Sequence, residues 1–287
     1  MTQSPATPDT PAQRPALRLS LVGYGRMGRV IRRLAEERGH TVAAIIDPHA
    51  PEATAPALTP AALAGTDAVI DFSVPETAAE HLRFYAAQGI PTVMGTTGWY
   101  AQADALAAEF AGTDAAIIWS GNFSIGVRLF TRLTAQAAAL LAPFAEYAQY
   151  DAMLHEFHHA GKADSPSGTA LELARALQGE WPQQPHLQTA ELNRQRRPDE
   201  LHLSSTRGGS IPGTHMVIFD SPADTIELTH RARTREGFAA GAVLAAEWIA
   251  GGRRGFFTLD ELLDDVFAAS ADQAAKKPTP DTPARKR

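Results

Sequence analysis

The turn Gly23-Tyr24-Gly25-Arg26-Met27-Gly28 constrains this chain more than any other stretch of it. It follows residues 17–22, which read as a strand, and opens a helix predicted over 26–38 that Gly39 ends. In a G-x-G-x-x-G turn the first glycine makes the tight bend and the second lets a pyrophosphate approach the backbone. The third lets the helix lie close on the strand. The first N–H groups of that helix, at the positive end of its dipole, then face the phosphates. Such a unit belongs to a parallel sheet, so strand and helix should keep alternating beyond it.

They do so through the first half. A strand over 41–46 ends at Asp47, 19 residues past Gly28, where a ribose-binding carboxylate is expected. Asp47 also reads as an ordinary strand-end acid. Its neighbours Pro48, His49 and Ala50 bring no cation to balance a 2′-phosphate, which favours NADH over NADPH. A strand over 68–72 is followed by Ser73, Pro75 and Glu76, a capping box before a helix that runs to Gln88 and stops at Gly89. Then come a strand over 90–94, the turn Gly95-Thr96-Thr97-Gly98, a helix over 99–111 and a strand over 115–119. Gly95-Thr96-Thr97 and Ser120-Gly121-Asn122-Phe123 both stand at carboxyl ends of strands, where open α/β sheets bind ligands.

The rhythm changes after an alanine-rich helix over 126–142. Strands are predicted over 147–157, 186–193, 200–206, 214–220 and 225–232. The clean alternation of 225–230 is that of a sheet with one wet face. Helices over 237–250 and 259–267 close the chain. The expected fold class is therefore α/β, a parallel-sheet domain plus an α+β domain with a mixed or antiparallel sheet. The domains are predicted as 17–125, completed by about 236–270, and 126–235.

The chemistry concentrates in Glu156-Phe157-His158-His159-Ala160-Gly161-Lys162-Ala163-Asp164-Ser165-Pro166-Ser167-Gly168-Thr169-Ala170. A histidine has a pKa near ~6.5 and exchanges protons at neutral pH. Neighbouring side chains on a strand point to opposite faces, so His158 and His159 reach one pocket only from a bend. Both also read as structural residues. Lys162 is either an exposed solubilising residue or a fixed cation. Ser167-Gly168-Thr169 reads as the cap of a helix over 170–177, worth ~1 kcal/mol, or as N–H groups gripping a carboxylate. Zinc is disfavoured because no third ligand follows at short spacing, and His155 reads as structural.

Composition removes several classes. There is no cysteine, which excludes disulfides, thiolate nucleophiles and cysteine-bound zinc and fits a reducing cytoplasm. A net charge of −6 argues against a general nucleic-acid binder. No apolar stretch approaches the ~18–20 residues of a membrane span. Residues 1–16 and 271–287 are rich in Pro, Thr and Ala and share a six-residue string at 7–12 and 279–284; both read as disordered tails.

With these residues in view, the chain resembles the dihydrodipicolinate reductases, also called 4-hydroxy-tetrahydrodipicolinate reductases, of bacterial lysine and diaminopimelate synthesis. The resemblance spans about 17–268. It rests on the signature E-x-H-H-x-x-K-x-D-x-P-S-G-T-A at 156–170, on Gly95-Thr96-Thr97-Gly98 and Asn122-Phe123-Ser124, and on Arg207-Gly208-Gly209 with His215. It implies a Rossmann-type domain that binds NADH or NADPH and a second domain that binds a small dicarboxylate and builds a homotetramer. His158 and Lys162 would then transfer protons, while His159, Lys162, Ser167, Gly168 and Thr169 would contact the substrate. Gly23 through Gly28, Asp47, Gly95 through Thr97 and Ser120 through Phe123 would hold the cofactor. Domain closure is expected, with hinges near 124–126 and 233–237. Ala160 and Gly161 replace basic or polar residues common in that family, which leaves more of the anion binding to Lys162 and the helix end. The rival readings are another two-domain nicotinamide dehydrogenase and a non-catalytic dinucleotide sensor.

Overall fold

The computed structural model describes residues 15–275; the tails expected to be disordered lie almost wholly outside that range. The chain falls into two compact units, 1–121 with 242–287 and 122–241. The chain passes between the units at 121/122 and 241/242; the expected domain boundaries stood at 125/126 and about 235/236.

The first unit is built on a six-stranded parallel sheet. In chain order its elements are β1 (Arg18–Val22), α1 (Arg26–Glu37), β2 (Thr41–Ile46), β3 (Ala68–Asp71), α2 (Pro75–Gln88), β4 (Thr92–Met94), α3 (Ala103–Phe110) and β5 (Ala116–Trp119). The spatial order is β11-β5-β4-β3-β1-β2, where β11 (Gly255–Thr258) is an edge strand that sequence reasoning did not foresee. Strand order reverses at β1, with β2 on one side and β3 on the other; ligands of such sheets bind at that switch point. Strands buried on both faces are nearly continuous apolar runs, and β3 is buried at all four positions. Val22, Val69, Leu82, Met94, Trp99 and Ile117 belong to the core of this unit.

The expected capping box at Ser73 does not form. Val74 is the N-cap of α2 and no side chain caps it; the Ser73 hydroxyl, one residue earlier, donates to Asp71 at 2.6 Å.

The second unit carries α4 (Ile125–Leu141), α5 (Ala145–Ala148), β6 (Asp151–His158), α6 (Gly168–Glu180), β7 (His186–Gln188), β8 (Glu200–Arg207), β9 (Thr214–Asp220) and β10 (Thr225–Arg231). Its sheet runs β10-β9-β6-β8-β7 and is mixed: β9 pairs antiparallel with β10 and β6, whereas β6, β8 and β7 are parallel. Leu154, Leu173, Leu177, Trp181, Leu203 and Phe219 form its core. β6 begins later than expected because 145–148 turn into helix, and β7 ends five residues early. α7 (Glu236–Ile249) starts in the second unit and ends in the first, and α8 (Leu259–Ala275) runs beyond the expected 267. Among the described residues no helix is long and apolar enough to cross a membrane.

Candidate active site

The glycine turn has the steric form that a dinucleotide needs. Gly23 has φ +84, and a Cβ there would stand 2.3 Å from the Phe72 carbonyl oxygen. A Cβ on Gly28 would lie 2.5 Å from the Gly23 oxygen, so helix and turn touch only because both residues are glycine. Beside Gly25, by contrast, nothing lies within 4 Å of where a Cβ would be. Gly25 is also the N-cap of α1 and no side chain caps that helix end. Open space before an uncapped helix N-terminus fits a phosphate group.

Around this turn the structure gathers most of the expected cofactor residues of the first unit. Asp47 accepts hydrogen bonds from the backbone N–H groups of Tyr24 (2.7 Å), His49 (2.8 Å) and Ala50 (2.9 Å). Burial alone would raise its carboxyl, and these three donors more than reverse that, holding it below the usual carboxylate range. Arg26 is exposed and Met27 half-buried. The Tyr24 ring is buried beneath the Arg29 guanidinium, 4.9 Å from ring centroid to Cζ. Arg29 in turn pairs with Glu52 through both carboxylate oxygens. Thus a cation does stand beside Asp47, supplied by α1 instead of by the residues following Asp47.

Gly95, Thr96 and Thr97 follow β4. Thr97 is exposed, whereas Thr96 is buried and donates to Asp71 at 3.2 Å. Asp71 was not foreseen as important. Fully buried at the carboxyl end of β3, it also accepts from the Ser73 N–H (2.9 Å) and the Tyr85 hydroxyl (2.7 Å), and meets His81 Nδ1 at 2.8 Å. It therefore ties two ligand-edge loops and α2 together. Ser120 and Gly121 follow β5 in the first unit, but Asn122 and Phe123 belong to the second. Phe123 is buried, and Asn122 donates to Thr169 Oγ1 at 3.2 Å, joining the other candidate group.

That group is set by the period of β6. Ala152, Leu154, Glu156 and His158 alternate with less buried residues, so all four face the core. His158 is the last residue of β6 and buried; His159 lies just outside, half-exposed, its N–H donating to the Ile211 carbonyl at 2.8 Å. Strand register places Ser205 and His215 on either side of Glu156, and Arg207 beside His158. His155, on the opposite face, meets Ser204 at 2.6 Å and Phe157 edge-on, in keeping with a structural role.

Glu156 is fully buried and its oxygens are crowded with donors. Oε1 accepts from the Ser167 N–H (2.9 Å), the Ser205 hydroxyl (2.8 Å) and Arg207 Nη2 (2.8 Å). Oε2 accepts from the Ser167 hydroxyl, with His158 Nδ1 at 3.2 Å and His215 Nε2 at 3.6 Å. Burial by itself raises this carboxyl; donation from His215, Ser167 and Arg207 overcomes it and holds the group far below the usual range. Burial, in contrast, dominates at His158. It lowers the imidazole to about 4; Glu156 opposes the shift, while His215, Lys162 and Arg207 add to it. With no ligand bound, His158 is thus neutral at pH 7.

Ser167 caps α6, its hydroxyl oxygen accepting from the Ala170 N–H at 3.1 Å while its proton goes to Glu156. That hydroxyl is spent on structure. Gly168 and Thr169, the first two residues of the helix, remain to offer N–H groups to an anion. Lys162 Nζ pairs with Asp164 at 2.7 Å, and Arg207 also holds the Asp164 carbonyl at 2.6 Å. Glu156 thus links His158 to the start of α6 through Ser167, and the charge of Lys162 is felt at His158. Sequence reasoning quoted Glu156, Arg207 and His215 in the signature without giving them work, since only register shows what they touch.

Glu156, His158 and His215 also put one ligand atom each within 4.8 Å of one another, a metal-like triad. The third ligand sits 57 residues from His158, beyond the reach of a spacing rule. A divalent cation nonetheless fits poorly, because the carboxylate is filled by neutral donors and a guanidinium that would repel the ion.

A family profile described as dihydrodipicolinate reductase, N-terminus, matches residues 17–123, and its counterpart, dihydrodipicolinate reductase, C-terminus, matches 126–263. The chain belongs to the dihydrodipicolinate reductase family. It is 35% identical over 254 residues to a 4-hydroxy-tetrahydrodipicolinate reductase of Christiangramia forsetii, covering 88% of this chain and 99% of the relative. It is also 40% identical over 202 residues to the enzyme of that name from Archaeoglobus fulgidus, covering 69% of this chain and 76% of the relative. Among solved structures, a dipicolinate-bound dihydrodipicolinate reductase from Paenisporosarcina sp. TG-14 shares the fold at TM-score 0.68 and 21% identity, over 85% of this chain and 97% of that one. Family members of this kind are NAD(P)H-dependent oxidoreductases with a dinucleotide-binding N-terminal domain.

Proposed function

We propose that this chain reduces 4-hydroxy-tetrahydrodipicolinate to tetrahydrodipicolinate with NADH or NADPH, in lysine and diaminopimelate synthesis. The observation that carries the site assignment is the meeting of His158 and the start of α6 at one buried carboxylate, with the charge of Lys162 felt at His158. Neither a general dehydrogenase nor a dinucleotide sensor needs that combination. Asp47, the Gly23–Gly28 turn, Gly95–Thr97 and Ser120–Gly121 would hold the dinucleotide, which supplies a hydride to the ring of an unsaturated imine. Asn122 and Phe123, next in the chain, are assigned to the cofactor as well in this reading.

Lys162, His159 and the N–H groups of Gly168 and Thr169 bind and orient the two substrate carboxylates. A substrate carboxylate displaces Asp164 from Lys162 and raises the imidazole of His158 by its charge. Once hydride has added, charge spreads to the neighbouring carbon and nitrogen, and His158 with Lys162 delivers the proton. Ser167 acts through its backbone and through Glu156, its hydroxyl being committed.

NADH is the favoured donor in this reading. The negative charge of Asp47 is reinforced by Glu52, which occupies the fork of Arg29, the nearby cation that could otherwise meet a 2′-phosphate. A cytoplasmic location goes with the biosynthetic role and with a chain free of cysteine. A homotetramer formed by the second unit completes the reading, supported by β10, whose alternate residues stand exposed.

The test is steady-state turnover on freshly generated substrate. His158→Ala should lower kcat by about 10²-fold or more with little change in substrate affinity, and Lys162→Ala should damage both. Near wild-type kcat in His158→Ala would overturn the assignment, and dinucleotide binding without turnover in the wild type would favour a sensor.

A further inference from the structure

We infer that Glu156 is a positioning residue for proton transfer. It fixes the proton of neutral His158 on Nδ1, so that the transferable proton is the second one, carried on Nε2 beside Gly213. The inference rests on the proposed role of His158 as proton donor.

The geometry leaves His158 little choice. Its Nδ1 is buried and makes no hydrogen bond; the charged group it meets is Glu156, with Oε2 at 3.2 Å. A carboxylate held ionised by Ser167, Ser205, Arg207 and His215 can only accept, so an Nδ1 facing it must carry the hydrogen. In neutral imidazole the other nitrogen is then bare. Nε2 lies against Gly213, where a Cβ would stand only 3.1 Å from it. Gly213 has no left-handed φ, so it is glycine for room and not for backbone conformation.

The charged and titratable groups facing His158 are Glu156 on its own strand, Arg207 on β8, His215 on β9 and Lys162 on the following loop. Three of them oppose a charge on His158 and only Glu156 supports one. The imidazolium that forms when the substrate dianion arrives is therefore compensated at Nδ1 by Glu156. In the step itself the Nε2–H bond breaks and a C–H bond forms at the ring carbon that gained electron density from the added hydride. The imidazole that remains is neutral, still protonated on Nδ1 and still held. Without Glu156 the lone neutral proton could settle on Nε2, and the ring could rotate away from the reacting carbon. His215 meets the same oxygen from the other side, its ring 5.2 Å from that of His158 and edge-on to it, which limits that rotation.

The experiment is long-range 1H–15N NMR on the full-length chain carrying 15N-histidine, with His158 assigned by its loss in His158→Asn. At pH 7.5 without ligand, we expect a protonated Nδ1 and a bare Nε2. A dominant Nε2–H form would overturn the inference. Glu156→Gln should abolish that tautomer preference and lower kcat by about 10²-fold, leaving KM for NADH unchanged. Should Glu156→Gln not fold, Gly213→Ala decides: it should keep the tautomer and KM for NADH while lowering kcat roughly tenfold by crowding Nε2. Wild-type kcat in Gly213→Ala, or in folded Glu156→Gln, would overturn it equally. An Nε2–H tautomer in an active enzyme sinks this inference alone, whereas full turnover in His158→Ala sinks the reading beneath it.

Discussion

Binding of a dicarboxylate at pH 7 should draw a proton into the protein. His158 sits at about 4 in the unliganded chain, so three pH units separate it from neutrality. Only about one molecule in a thousand then carries the imidazolium, and creating it costs about 4 kcal/mol at ~1.4 kcal/mol per unit. A unit charge at contact distance in a medium of effective dielectric ~20 supplies about 4 kcal/mol. One substrate carboxylate beside His158 is thus enough to bring its pKa to the working pH, and a second carries it above. The perturbation is titration with dipicolinate, a non-reacting dicarboxylate of the right shape. Calorimetry in buffers of differing ionisation enthalpy reads the protons exchanged. Between a half and one proton should be taken up per site, by roughly the same Coulomb argument, and His158→Asn should bind with that uptake removed. Tight binding with no proton uptake would refute the reasoning. The same uptake in His158→Asn would do so too, because the proton would then reside elsewhere.

Two further outcomes follow from the same coordinates. Glu52→Gln releases the Arg29 fork from an exposed ion pair. The ratio of kcat/KM for NADPH to that for NADH should rise up to about fivefold, and Arg29→Gln on top should erase the gain; an unmoved ratio would show that Arg29 does not reach the 2′ position. Stability should fall on acidification below about pH 6.5. Burial lowers His158, His155, His202 and His230 in the folded chain, so the unfolded chain binds more protons between their folded values and 6.5. Stability is therefore full above 6.5 and lost as pH falls toward 4, with about 2 kcal/mol of that loss at pH 5 coming from His158. Melting curves at pH 7 and 5 should show the drop, smaller in His158→Asn; an equal drop in both would exclude His158 as its source.

The sequence alone determined the parallel sheet of the first unit, because its information is local. Gly23 and Gly28 are required by steric conflicts with their immediate surroundings, Gly25 leaves open space before the helix, and apolar runs bounded by glycine mark strands wherever they lie. The His-His-Lys and Ser-Gly-Thr spacing likewise placed two histidines, a lysine and a helix start within fifteen residues. Tertiary structure decided whatever depends on pairing across distance. β11 is a strand only because β5 offers it an edge, and α2 is capped one residue past Ser73, whose hydroxyl meets the buried Asp71. Arg29 reaches the neighbourhood of Asp47 from another element. Glu156 read as one acid among many; register with β8 and β9 surrounds it with Ser205, Arg207 and His215 and gives it a charge that burial would otherwise forbid. A side chain's type and local period are written in its neighbours along the chain, but its ionisation is set by what the fold packs against it.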